Sequence, residues 1–242
     1  MIWIASFDIG KKNFAFYIQE FDHTQLSQIK NIPKDSRYNA DGTCKERFKN
    51  TMETVYKNGK TVLHVNADLT INSDKSKYLD KEIFHNMVDH LDKYAEYWDK
   101  CDTFVIEMQM SFGKNRNPMA VKLGQHCYSY FIFKYGRFKK TVEFPAYHKT
   151  QILGAPKKVL DKKGKLIKMS KPERKKWAVE EAYRILTIRH ESDVMDNIKT
   201  KSKKDDLSDV ICQLEAYKFM TYVPESNILE SKHKPLLDRK KS

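Results

Sequence analysis

Met1-Ile2-Trp3-Ile4-Ala5-Ser6-Phe7-Asp8-Ile9-Gly10 opens the chain. From Ile2 to Phe7 the run is apolar on both faces, the pattern of a central strand covered by helices on each side. Asp8-Ile9-Gly10 breaks it and Phe14-Ala15-Phe16-Tyr17-Ile18 resumes it, so a hairpin is the economical connection. Val62 to Leu69 supplies a third strand. Leu79 to Trp98 reads as one helix, with Phe84, Met87, Val88, Leu91, Ala95 and Trp98 on a single stripe. Asp102 to Glu107 is a short β-prone run, and Thr141 to Pro145 is another. Between them Pro118 to Tyr135 forms an aromatic-rich helix opened by proline and closed by Gly136. Ser170 and Glu173 make a capping box for a helix through Arg189, a loop runs from His190 to Lys204, and a last helix spans Asp205 or Asp206 to about Met220. This order predicts an α/β fold, a mixed β-sheet flanked by α-helices, in a single domain over 1–223. Asn31 to Lys60 is polar and rich in turn formers and reads as an insertion with little core of its own. Residues 224–242 read as a basic, weakly ordered tail.

The chain has 242 residues, enough for one sizeable α/β domain. Its 45 Lys and Arg against 32 Asp and Glu leave a net charge of +13, an excess that a solvated globule does not need. A polyanionic partner is expected, nucleic acid first, because each neutralised phosphate releases counterions. The four cysteines, Cys44, Cys101, Cys127 and Cys212, show no pair at metal-ligand spacing, which argues against a zinc ribbon and for a reducing compartment. No apolar run approaches a membrane span, and neither a signal peptide nor an Arg-rich transit peptide is visible. The expectation is an intracellular protein without a membrane partner.

Acidic residues stand where an unsupported charge is costly. Asp8 ends the first strand, Glu107 ends Phe104-Val105-Ile106, and Asp206 and Asp209 lie at i and i+3 on one face of the last helix. An Asp closing a strand serves equally as a turn residue, and Asp205, Asp206 and Asp209 can simply cap a helix and complement its dipole. For Asp205 the capping role is the expectation. Glu107 has no such local use. Carboxylates gathered together repel unless a cation sits between them, and magnesium prefers a few carboxylates with water and phosphate oxygens. Two such ions roughly 4 Å apart serve phosphodiester hydrolysis.

These blocks carry a resemblance. Phe7-Asp8-Ile9-Gly10 with Lys12-Asn13, Ile106-Glu107-Met108-Gln109, and Lys203-Lys204-Asp205-Asp206-Leu207-Ser208-Asp209 resemble the three acidic blocks of the RuvC-type Holliday junction resolvases of the ribonuclease-H-like superfamily. The poxvirus, large-DNA-virus and fungal mitochondrial enzymes are the best match. The resemblance implies a ribonuclease-H-like fold and a homodimeric endonuclease that nicks two opposed strands of a four-way DNA junction. It implies Asp8, Glu107, Asp206 and Asp209 as catalytic ligands of two Mg2+ ions, with Mn2+ able to substitute. Lys175-Lys176-Trp177-Ala178-Val179-Glu180 matches the family's basic helix start and implies Lys176 as the active-site lysine, with Lys175 the lesser choice. If the source is a virus, the site of viral DNA replication is the expected location. The chain departs from the pattern in its 31–60 insertion and in the long basic segment before Lys175.

That segment, 157–176, carries ten Lys or Arg against Asp161 and Glu173. Asp161-Lys162-Lys163-Gly164 between Val159-Leu160 and Leu166-Ile167 predicts a β-hairpin over about 157–171. Lys162, Lys163 and Lys165 would meet backbone phosphates, with Lys12, Lys114, Arg116 and Lys175 as further DNA contacts. A solvated loop accounts for the hairpin charge as well. Phe112 can wedge into a junction or serve as core, and the Val121–Phe133 stretch can be a dimer interface or core. Two other functions remain open: a nuclease of this fold acting on flaps, other branched DNA or RNA–DNA hybrids, and a catalytically idle DNA-binding protein.

Overall fold

The computed structural model describes residues 1–73, 78–109, 117–160, 164–201 and 203–224. Five strands, β1 (Ile2–Asp8), β2 (Phe14–Phe21), β3 (Lys60–Ala67), β4 (Thr103–Met108) and β5 (Lys140–Pro145), form one sheet in the order β3-β2-β1-β4-β5. β1, β2 and β3 are joined antiparallel, whereas β4 lies parallel to both β1 and β5. The expected mixed sheet flanked by helices is the fold found, with β1 at its centre.

Alternation along the strands divides the core between the two faces. Ala5, Phe7, Phe14, Phe16, Phe104 and Ile106 face α3 (Lys81–Asp92), α4 (Ala95–Trp98) and α5 (Pro118–Tyr135), which contribute Met87, Leu91, Trp98, Leu123, Cys127 and Phe131. Ile4, Ala15, Tyr17, Phe21 and Val105 face α9 (Lys204–Tyr222), in which Leu207, Ser208 and every residue from Val210 to Met220 are buried. α1 (His23–Ser27), α2 (Glu46–Lys57), α6 (Ala146–Ile152) and α7 (Lys171–Ile188) pack on α9 and finish that layer. The capping box of Ser170 and Glu173 starts α7 as expected.

Several segments depart from the sequence reading. The helix expected over 79–98 is broken after Asp92, where the Trp98 indole turns back to donate to the Leu91 carbonyl at 2.6 Å and enters the aromatic core. The 31–60 segment forms no core of its own but adds to the main one, because Phe48, Met52, Val55 and Tyr56 recur at helical spacing in α2 and are buried in the cluster that α7 and α9 share with the sheet. The expected loop at 190–204 contains α8 (Ser192–Thr200), held by buried Ile198. α9 starts at Lys204 with Lys203 at its N-cap, so Asp205 is not the cap but lies inside the first turn. α6 had no counterpart in the reading. β6 (Lys158–Leu160) and β7 (Leu166–Lys168) form the expected basic hairpin. Most of the tail, 225–242, lies outside the described residues. No helix among those described is long and apolar enough to cross a membrane.

Candidate active site

β1 and β4 run parallel and their pairing stops at Phe7 and Ile106, one residue before each strand-end acid. With a period of two, Asp8 shares a face with Ile4 and Ser6, and Glu107 shares one with Val105, the face that α9 covers. Gly10 allows the chain to turn immediately after Asp8, since a Cβ there would lie 2.9 Å from the Asn13 carbonyl oxygen. The start of α9 brings Asp209 to Asp8 and Glu107, with Asp206 one helical turn before it. The carboxyl ends of parallel strands are where open α/β sheets place their sites.

The acids are close enough to act on one another. Burial, followed by the charges of Glu107 and Asp209, pushes the Asp8 carboxyl well above its usual range. Burial also raises Asp209, which Lys149 opposes and Glu107 reinforces. Asp206 is pushed up to about 6 by burial and by Asp205, and its Oδ2 is buried without a hydrogen-bond partner among the described residues.

Their counter-charge is a residue that the sequence reading missed. Lys149 Nζ stands 3.0 Å from Asp209 Oδ1 and 3.8 Å from Glu107 Oε2, and Lys149 is only 8% exposed. Burial acts against its charge, but Glu107, Asp209 and Asp8 outweigh that and hold it firmly protonated. Its signal lay in Ile152 and Leu153, apolar at i+3 and i+4, which turn that face of α6 inward.

Lys176 does not join the acids. It is exposed on α7 and faces Glu180 one turn on, at 3.7 Å, because residues 175 and 176 point to different sides of a helix. Lys175 is the one turned toward α9, where it pairs with Asp205; that pairing outweighs burial and holds the Asp205 carboxyl low. Lys12 is exposed in the turn after Asp8, and Lys165 is exposed just before β7, at the end away from the hairpin's base. Lys114, Arg116 and Phe112, with Lys162 and Lys163, lie outside the described residues.

Asp8, Glu107, Asp206 and Asp209 could offer carboxylate oxygens only, the donor chemistry that suits a hard divalent cation. The unpartnered Asp206 oxygen and the mutually raised carboxyls fit such a group. Among the described residues no three acidic, imidazole or thiol side chains already converge at ligating distance, and Lys149 is the cation that Glu107 and Asp209 share.

No known family model matches the chain. It is 36% identical over 234 residues to the uncharacterised protein 170L of invertebrate iridescent virus 6, spanning 90% of this chain and 89% of that protein. It is 34% identical over 225 residues to the uncharacterised protein 97L of invertebrate iridescent virus 3, spanning 90% and 100%. Among solved structures, the fowlpox virus Holliday junction resolvase superposes with a TM-score of 0.50 at 15% identity, over 90% of this chain and 98% of that one. At that identity the likeness is one of fold, and it is the fold that the three acidic blocks implied.

Proposed function

We propose that this chain, which belongs to the family of the invertebrate iridescent virus proteins 170L and 97L, is a magnesium-dependent endonuclease that resolves four-way DNA junctions. The observation that carries the reading is the convergence of Asp8, Glu107 and Asp209, from β1, β4 and α9, around buried Lys149. Carboxylates held against one another destabilise a fold, and a phosphodiester-cleaving site gives them a use.

Asp8, Glu107, Asp206 and Asp209 would hold two magnesium ions. Bound there, magnesium supplies the positive charge that favours attack of water on the phosphodiester and departure of the leaving oxygen. Glu107 and Asp209, which Lys149 now holds, would serve as ligands, and Lys149 would supply a fixed positive charge for the scissile phosphate. Lys175 neutralises Asp205 and so keeps it out of the ligand set. The net charge of +13 draws the DNA in, and the basic hairpin beyond the site contacts its backbone. Cutting two opposed strands needs two such sites, which a homodimer supplies.

The test is cleavage of a four-way junction, a flap, a linear duplex and an RNA–DNA hybrid by the purified chain with magnesium. Paired nicks in the junction, supported by manganese, weakly by calcium and lost in excess chelator, are expected. Calcium's longer, looser coordination holds the reacting oxygens less tightly. Equal cutting of linear duplex overturns junction selectivity, and undiminished cutting in chelator overturns metal dependence.

A further inference from the structure

Gln213 lies one helical turn beyond Asp209 on α9 and is 1% exposed. A buried side-chain amide is costly unless its hydrogen bonds are made. Here Nε2 donates toward Ser6 Oγ at 3.0 Å and toward the carbonyl oxygens of Phe7 and Val105, each at 3.2 Å. Its two N–H bonds are thus shared among three acceptors on two strands. Phe7 directly precedes Asp8 on β1, and Val105 is two residues before Glu107 on β4. The amide sits where those strands part. One side chain therefore ties the helix bearing Asp206 and Asp209 to both strands bearing Asp8 and Glu107.

We propose that Gln213 is a positioning residue whose amide fixes the helix-borne carboxylates against the strand-borne ones, and so sets the spacing of the metal-binding cluster. The inference rests on the functional reading above. Apolar contacts between α9 and the sheet are non-directional and tolerate small slides of the helix. Glu107 on the strand and Asp209 on the helix share the Lys149 ammonium at 3.8 and 3.0 Å, and repulsion between their like charges favours such a slide. A directional link to both strand ends opposes it, and metal and phosphodiester chemistry is sensitive to displacements of about 1 Å.

The test uses the full chain with Gln213→Met, close in volume and unbranched but without donors. Gln213→Asn, whose amide is one methylene short of spanning both strands, carries the same expectation if the Met variant does not fold. Phe131→Leu, on the opposite face of the sheet, controls for lost stability. Three quantities are read: Mn2+ affinity of the metal-free protein by calorimetry, junction affinity with the single-turnover rate, and amide hydrogen exchange at Asp8, Ile9, Glu107 and Met108. The Gln213 variant should bind Mn2+ about 10-fold more weakly, in line with other groups that orient metal ligands. It should cut at least 10-fold more slowly at saturation, bind the junction as wild type does, and exchange faster at the strand ends. Phe131→Leu should change none of these. Wild-type Mn2+ affinity and rate in the folded variant, or losses matched by Phe131→Leu, overturn the inference. A wild-type chain that neither binds Mn2+ nor cuts junctions overturns the functional reading instead. The clamp is then judged by exchange: faster exchange confined to the Gln213 variant upholds it, and unchanged exchange overturns it.

Discussion

Lys149 and Lys176 divide the roles that a basic helix start alone assigns to one residue. Lys149 touches Asp209 and Glu107 from a buried position, whereas Lys176 lies 79% exposed beside Glu180. Lys149→Ala should slow single-turnover cleavage by about 100-fold or more, the usual cost of losing one preorganised charge at a reacting group. Lys176→Ala should stay within a few-fold of wild type, and the reverse ranking would contradict the geometry. The acids were legible because a carboxylate ending an apolar strand, or repeated at i and i+3, stands out locally. Lys149 was not, because one lysine on a seven-residue helix offers no contrast in a chain with 45 Lys and Arg. His64 illustrates a second kind of hidden constraint. Its Nε2 lies 3.0 Å from the Leu207 carbonyl, and burial lowers its pKa to about 4. An unfolded His protonates near 6.5. Between those values the unfolded chain binds more protons, so stability is lost as pH falls from about 6.5 toward 4. This group alone accounts for on the order of 3 kcal/mol. Urea unfolding at pH 7 and pH 4 should show His64→Phe losing less stability than wild type by about that amount. Equal losses would mean that His64 is not held neutral.

α9 and the basic hairpin show opposite relations between pattern and structure. The hairpin was legible from turn chemistry and flanking apolar pairs. Its strands project, with Leu160 68% and Leu166 62% exposed, while its base is tied down by Lys157 N–H donating to the Asp41 carbonyl at 2.6 Å. Replacing Lys162, Lys163 and Lys165 with Ala should flatten the log–log salt dependence of junction binding by up to roughly 2.7 units, about 0.9 per lost phosphate contact. Cleavage at saturating enzyme should survive, and an unchanged slope would make the hairpin a solvated loop. α9 was recognisable as a helix, but its burial on every side from Val210 to Met220 was hidden by Glu215 and Lys218, residues that normally mark a solvated face. The structure pairs them at 2.8 Å and adds the Arg189 guanidinium to Glu215, so the charges are met inside the core. Glu215→Gln leaves two buried cations without their anion and should cost about 3–5 kcal/mol in chemical denaturation. A loss under 1 kcal/mol would show the cluster to be solvated. α2 and α8 escaped notice for a related reason: a few apolar residues at helical spacing were diluted by polar ones, and only tertiary packing reveals their inward faces.

Across the molecule, the acids gather at one end of the sheet's central strands. A central hairpin and two parallel strands place two acids at strand ends, α9 carries two more in its first two turns, and the whole chain has a net charge of +13. Without that convergence the basic charge describes only a nucleic-acid binder. The deciding comparison is therefore between wild type, Asp8→Asn and Glu107→Gln on one labelled four-way junction with magnesium, measuring binding and single-turnover cleavage together. Each substitution removes a ligand's charge with almost no change of volume. Wild type should cut the junction, and both variants should bind it with unchanged affinity while cutting at no detectable rate. Near-wild-type cleavage by either variant would contradict the assignment of the site.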